Sequence, residues 1–432
     1  MLPGSLEKGA EAECPVSSSS SLVANAMAAG ALSGGACCAR QSAVFVGSPG
    51  VSLRQCFGTA AADNYVAWFQ GANATYVHAA RTAIHRAVSL LQLRPGDEVL
   101  VPAYNCGSEV DALLHAGAQV CLFRISREAE IDIDDLAGRI TRATRALYII
   151  HYFGFAQRLE PVINLCRERG LFLIEDCALS ALTEVEGRRI GSSGDIAVYN
   201  FPKVLPVPDG GALVINNPIL RNEPWDLRRP RVRMVVPSTL RLLRLSLLRH
   251  LPQGGLRALA CLRARRSKSP ARADESPPAM PRSYYYRDGM SDRRISRLSE
   301  RVMRRTNLAE VRRRRRENFS ALLGSLGKAA GARPLYGELA AGTCPLVFPI
   351  LAERAGELAS RLRALAIPAF SWWSGYHQGA LDWSGFPEAC YLKDHVVAVP
   401  IHQGLSTEEV SFIGRAVAGC AAAASRVTDK HG

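Results

Sequence analysis

The chain reads as an α/β protein, with a large domain on a mainly parallel sheet and a smaller C-terminal α+β domain. Three observations predict this. Between residues 80 and 176, apolar helical stripes alternate with short apolar runs, the pattern of strand–helix–strand crossovers. Two runs, Leu171 to Ile174 and Ala212 to Ile215, are apolar at every position, as strands buried on both faces are. The length of 432 residues allows a large core and two domains.

The first 45 residues or so are rich in Ser, Ala and Gly and lack periodicity, the composition of a disordered tail. Residues 60–72 predict a short helix packing Tyr65, Trp68 and Phe69. Ala83, Ala87, Val88 and Leu91 form a helical stripe after Thr82, ended by Arg94-Pro95-Gly96-Asp97. Strands are expected at Glu98–Val101, Val120–Ile125 and Ala146–Ile150, and helices at Ser108–His115, Asp132–Arg139 and Glu160–Arg169. The large domain thus spans residues 60–226.

Residues 227–290 read as a basic insertion and linker. No acid occurs from Leu227 to Ala273, and leucines and arginines fall at helical spacing. Such a segment either lies on an anionic membrane surface or forms an inserted hairpin with leucines packed on the large domain and arginines solvated. Ser291 to Gly324 predicts one long connecting helix whose run Arg312–Arg316 is a solvated face rather than a nucleic-acid patch. Strands at Pro345–Ile350, near Ala369 and at Val396–Val399, with helices at Ala355–Ala366 and Glu408–Ala421, complete residues 291–425 as an α+β domain.

Composition narrows the function classes. Hydrophobic residues make up 48% of the chain and mean hydropathy is +0.01, with no apolar run near the ~20 residues of a membrane span. The N-terminus lacks a basic stretch followed by an apolar one, which argues against a secretory signal. The twelve cysteines include no C-x-x-C pair and no zinc spacing. Reduced thiols, no metal and a cytoplasmic location are therefore expected. The net charge of +14 points to an anionic substrate or surface, or to nucleic acid, and of these no nucleic-acid partner is expected.

The chemistry-bearing residues cluster between Leu171 and Asn217. Asp176 ends an apolar strand, Lys203 follows, and Gly210-Gly211 opens the next strand. An acid at a strand's carboxyl end and a lysine before a Gly-Gly turn are what pyridoxal phosphate (PLP) chemistry needs: a Schiff-base amine and a carboxylate that keeps the pyridine nitrogen protonated. Ile174-Glu175-Asp176-Cys177-Ala178-Leu179, Gly191-Ser192-Ser193-Gly194-Asp195-Ile196, Asn200-Phe201-Pro202-Lys203 and Asp209-Gly210-Gly211-Ala212 follow in order. His151-Tyr152-Phe153-Gly154 precedes them, and His402-Gln403-Gly404-Leu405-Ser406 lies near the end.

Together these segments resemble the DegT/DnrJ/StrS sugar aminotransferases, strongly over residues 74–216 and loosely in the C-terminal third. The resemblance implies the PLP-transferase type I fold, a homodimer, and transfer of an amino group from glutamate or glutamine to a keto group on a nucleotide-linked sugar. It implies Lys203 as the Schiff-base and proton-shuttling lysine and Asp176 as partner of the pyridine nitrogen. Arg81-Thr82-Ala83 would form the phosphate cup at a helix start, through the Thr82 hydroxyl and the Ala83 amide. Asn200 stands where the family has a phosphate-binding serine. Tyr104 or Cys106 takes the place of the ring-stacking aromatic, and Leu179 that of a Gln or His beside the ring. The departures at Leu179 and Asn200 leave open a family member that binds without catalysing. A PLP-dependent sugar dehydratase is the other alternative, opposed by Lys203 because that branch has a histidine there.

Overall fold

A computed structural model describes residues 49–220, 225–250, 280–326, 331–379 and 381–425. The expected N-terminal tail and the insertion beyond residue 250 lie outside these.

After helices α1 (Leu53–Phe57) and α2 (Tyr65–Trp68), strand β1 (Ala74–Val77) leads to helix α3 (Ala80–Leu90). Then come β2 (Glu98–Pro102), α4 (Ser108–His115), β3 (Gln119–Phe123), α5 (Ile133–Gly138), β4 (Thr144–Ile150), α6 (Glu160–Arg169) and β5 (Phe172–Asp176). A two-strand ribbon, β6 (Glu184–Val185) with β7 (Arg188–Arg189), precedes β8 (Ile196–Asn200) and β9 (Gly211–Ile215). Seven strands form one sheet in the order β1-β9-β8-β5-β4-β2-β3. Only β9 runs against the others. Its residues Gly211 to Val214 and those of β4 from Ala146 are buried, as an interior position in a covered sheet requires.

The expected strands and helices of this region are present. Sequence periodicity gave no sign of β1 and β8, which are four and five residues long. The single helix expected from Ser291 to Gly324 is two: α8 (Arg297–Arg304), capped by Ser296, and α9 (Leu308–Leu326), with Asn307 accepting from the Glu310 amide. Between β9 and these runs helix α7 (Val232–His250). The C-terminal part carries β10 (Ala332–Pro334), β11 (Val347–Ala352), α10 (Ala355–Ala364), β12 (Phe370–Ser371), α11 (Pro387–His395), β13 (Val396–Pro400) and α12 (Thr407–Ser425). Its antiparallel sheet has the order β10-β11-β13-β12.

The Arg312–Arg316 run is not the solvated face expected. Arg313 is exposed and pairs with Glu310 at 2.7 Å, but Arg315 is only 1% exposed. The Arg315 guanidinium donates to the carbonyls of Leu346 (2.8 Å), Pro345 (3.2 Å) and Val204 (3.3 Å) and to Gln403 Oε1 (2.9 Å). Arg314 reaches the Leu405 carbonyl and Arg316 that of Thr343, each at 2.7 Å. The planar fork of arginine suits such carbonyl capture, and it stitches α9 to both parts of the molecule.

The first part is held by Glu175. This buried carboxylate accepts from His151 Nε2 at 3.0 Å and from the amides of Gly194 (2.5 Å), Ser193 (2.9 Å) and Gly191 (3.2 Å). His151 Nδ1 accepts the Gln157 amide at 3.0 Å, so Nε2 carries the ring proton. Burial alone would push the Glu175 carboxyl up, but His151 and the amides outweigh it and hold it below the usual range. Next to it, Asp195 accepts the Leu173 amide and the Asn217 side chain. The Gly191–Asp195 segment is thus a tie between β5 and β8.

Glu175→Gln is expected to cost on the order of 3 kcal/mol, because buried amides lose a charged acceptor. A lowered urea midpoint with unchanged slope checks this. The stability due to the depressed Glu175 carboxyl is fully present above the ordinary carboxylate pKa and is lost as pH falls through its folded value. The variant therefore shows a shallower loss of stability in acid.

Candidate functional site

The parallel strands deliver their carboxyl ends to one rim, the usual ligand edge of such sheets. There β2 ends in Ala103–Cys106, β4 in His151, β5 in Asp176 and β8 in Asn200, and β1 turns into α3. Gly210 has φ +131°, and a side chain on Gly211 would sit 2.7 Å from the Tyr199 carbonyl and 2.9 Å from the Ala80 nitrogen. Gly211 thus lets α3 start against β9, and Gly210 supplies the backbone conformation of the turn before it.

Asp176 is 6% exposed. Its Oδ2 accepts from the Tyr148 hydroxyl at 2.7 Å and its Oδ1 from the Ala178 amide at 2.8 Å. Burial pushes its carboxyl up, Glu109 adds to that, and Lys203 with the two donors opposes it. Lys203 follows in a short 3-10 turn, Phe201–Lys203, and is half-buried. The same ammonium acts on Cys106, whose thiol burial and Glu109 push up to about 12. Cys106 therefore stays protonated and donates to Glu109 Oε2 at 2.7 Å.

The chain has six lysines, of which only Lys203 and Lys393 lie among the described residues. Lys393 is fully buried and donates to the carbonyls of Asn105 (2.7 Å), Gly375 (2.9 Å) and Trp373 (3.2 Å). Burial lowers it to about 8, but its ammonium is pinned. Lys203 makes no hydrogen bond to any described residue, so its amine is available.

At the start of α3 the expected donors are differently engaged. Thr82 is not the cap: Ala79 is, without a side-chain bond. The Thr82 hydroxyl donates to the Met290 carbonyl at 3.0 Å, and the Ala83 amide to Ala79. The Arg81 guanidinium donates to the carbonyls of Tyr285 (2.6 Å) and Ser283 (2.8 Å). The helix amides with no described acceptor are those of Ala80 and Arg81. The Asn200 amide side chain likewise has no described partner and is half-exposed.

The Tyr104 ring is packed inside the protein. It is fully buried, donates to the Trp372 carbonyl at 2.6 Å, and packs with its ring centre 5.3 Å from both Tyr152 and Trp373. Cys106 is buried and lies within electrostatic reach of both Lys203 and Arg81. Leu179 is 3% exposed in the main apolar cluster. Sequence reasoning missed Glu109, Tyr148 and Tyr284. Tyr284 is half-buried, and burial, Cys106 and Glu109 push its phenol up. Only their placement on or beside the strand ends singles them out.

The donor set fits PLP. A buried carboxylate within electrostatic reach of Lys203 suits a protonated pyridine nitrogen. Free amides at a helix N-terminus suit a phosphate. The side chains of His151, Glu175 and Cys177 approach within 4.8 Å, but the His151 nitrogens and the Glu175 oxygens are already bonded, so this group fits no metal.

Comparison with known proteins agrees with the geometry. The family model of the DegT/DnrJ/EryC1/StrS aminotransferases matches residues 62–233. The chain is 33% identical over 151 residues to GDP-perosamine synthase of Vibrio cholerae, covering 34% of this chain and 41% of that protein. It is 32% identical over 148 residues to dTDP-4-dehydro-2,3,6-trideoxy-D-glucose 4-aminotransferase of Saccharopolyspora spinosa, covering 34% and 38%. The matched stretch thus spans about two fifths of these relatives. The aminotransferase TlmJ of Streptoalloteichus hindustanus superposes with a TM-score of 0.61 at 22% identity, over 87% of this chain and 93% of that one. A Brucella abortus aminotransferase gives 0.59 at 17%, over 83% and 88%. These structures share the fold of a PLP-transferase. Residues 62–233 are thus similar in sequence to the DegT/DnrJ/EryC1/StrS aminotransferase family, and the likeness to the solved structures extends over most of the chain as a likeness of fold.

Proposed function

We propose that this chain is a PLP-dependent aminotransferase that moves an amino group from glutamate or glutamine to a keto group on a nucleotide-linked sugar, working as a homodimer. The observation that carries the reading is the pair of Lys203 and Asp176: a free amine within electrostatic reach of a buried carboxylate at the carboxyl ends of parallel strands. The named activities of the relatives above supply the substrate class.

When bound, PLP would supply the electron sink that acidifies a substrate C–H bond. Asp176, oriented by the Tyr148 hydroxyl and the Ala178 amide, would hold the proton on the pyridine nitrogen. The amides of Ala80 and Arg81 and the side chain of Asn200 would bind the phosphate. Lys203 Nζ would carry the proton from the substrate carbon, as base and then acid. Gln403 Nε2 (3.1 Å) and Arg315 (3.3 Å) both donate to the carbonyl of Val204, next to that lysine, and so orient it.

Borohydride reduction of PLP-loaded protein, followed by peptide mapping, is expected to place the pyridoxyl label on Lys203. Lys203→Ala abolishes label and turnover while the urea midpoint is kept. A label elsewhere, or retained turnover, overturns the reading. Asp176→Asn retains PLP but loses on the order of a hundredfold in rate, because an amide gives no charge to the pyridine nitrogen. Near-normal turnover would reduce Asp176 to a turn-former. Arg315→Lys keeps the charge but not the fork. It lowers kcat by about tenfold through misplacement of Lys203, with labelling preserved; an unchanged kcat refutes that positioning role.

A further inference from the structure

Helix α7 carries a face that nothing in the described structure covers. Val232 (77%), Val236 (40%), Leu240 (60%), Leu243 (50%) and Leu247 (62%) are exposed. At ~100° per residue these five fall within an arc of roughly 80°, and they run for about 22 Å along the helix. The next part of the surface, still turned to solvent, carries Arg233 and Arg244. The opposite side holds the helix to the protein: Leu242 is 5% exposed, Ser238 is 8% exposed, and Ser246 lies against Gly50. At the base, Arg229 bonds Glu300 and the Ile295 carbonyl. The helix is thus seated with its apolar stripe outward.

Of the two readings of this segment, packing on the protein holds for Leu242, whereas Leu240, Leu243 and Leu247 face outward. The charge is as uneven as the burial. Residues 227–273 hold thirteen of the 53 Arg and Lys and none of the 39 Asp and Glu, so the rest of the chain is within one charge of neutral. Exposed Arg231, Arg233 and Arg244 make no ion pair with any described residue.

We infer that α7 docks the protein on an anionic phospholipid surface, its aliphatic stripe entering the acyl boundary and its arginines meeting the phosphates. The two features suit that partner jointly. Lipid offers apolar and anionic material side by side, and a helix with a polar and an apolar face lies in that plane. Nucleic acid suits the charge but not the stripe, since residues 227–273 contain no Phe, Tyr or Trp on which a base could stack. A two-fold pairing of α7 with itself would bring like charges together with no acid from either segment. No described helix is long and apolar enough to cross a membrane, so the contact is peripheral.

Co-sedimentation of the full chain with vesicles tests this, read as bound fraction rather than activity. Strong binding is expected to vesicles of phosphatidylcholine and phosphatidylglycerol in equal parts, and little to phosphatidylcholine alone. Leu243→Gln with Leu247→Gln, and separately Arg233→Gln with Arg244→Gln, each lower the partition coefficient by about tenfold or more. A tenfold rise in salt weakens wild-type binding. The substituted residues are exposed, so the variants keep the wild-type unfolding midpoint and the same mass in light scattering. Absent binding, equal binding to neutral vesicles, or unchanged binding by both variants overturns the inference. So does a fall in oligomer mass with the leucine variant, which would assign the stripe to a second copy. Tighter binding to RNA than to the anionic vesicles would assign the charge to nucleic acid.

Discussion

The geometry of the candidate rim rests on one buried carboxylate. Glu175 and Asp176 are adjacent in β5, so their side chains leave the strand on opposite sides. Glu175 gathers four donors and fixes the turn that leads from Gly191 into β8. That turn sets where β8 ends, and the end of β8 sets where Lys203 begins its 3-10 turn. A displaced Glu175 would therefore shift Asp176 along its own strand and Lys203 along the next. The low carboxyl pKa of Glu175 is the electrostatic sign that these donors overcome the cost of burial.

The second constraint comes from the C-terminal part. Its cations end on carbonyls of the loops around the rim. Arg315 and Gln403 hold the Val204 carbonyl beside Lys203, and Lys393 holds that of Asn105 beside Cys106. Tyr104 returns the bond in the other direction, onto the Trp372 carbonyl. Unlike an apolar contact, a carbonyl captured by a buried cation has a direction, and its loss leaves both groups unpaired. The two parts are accordingly locked at the loops that carry chemistry, whereas the apolar cluster between them is non-directional.

Elements formed by neighbours in sequence were legible, and those formed by distant partners were not. The helices at Ser108–His115 and Glu160–Arg169 and the strands ending at Ile150 and Asp176 follow from periodicity and end signals. Strand β1, four residues long, is too short to show a period, and β8 is obscured by the glycine-rich segment before it. That Lys203 comes near Asp176, and that the Gly-Gly pair makes a turn, could be expected from residue order alone. The bonding of Thr82 could not, because its hydroxyl is taken by Met290, 208 positions away. Arg81 is likewise taken by the carbonyls of residues 283 and 285. The arginine run misleads for the same reason. Charge density alone says solvent, and only the carbonyls brought by β11 and by the Gln403 loop make Arg315 an interior residue.

The electrostatics of the rim has a polarity that composition hides. A chain of +14 net charge presents, at this rim, two buried acids and one half-buried ammonium. Glu109 adds to the rise of the Asp176 carboxyl that burial causes, and it acts likewise on Cys106 and Tyr148, whose protons are held more tightly for it. At the start of α3 the sign reverses, since unpaired helix amides offer partial positive charge. A ligand with a cationic ring nitrogen at one end and a phosphate at the other would satisfy both ends, and one of uniform charge would satisfy only one. This gradient, rather than the net charge of the protein, is what selects the group that the rim can hold.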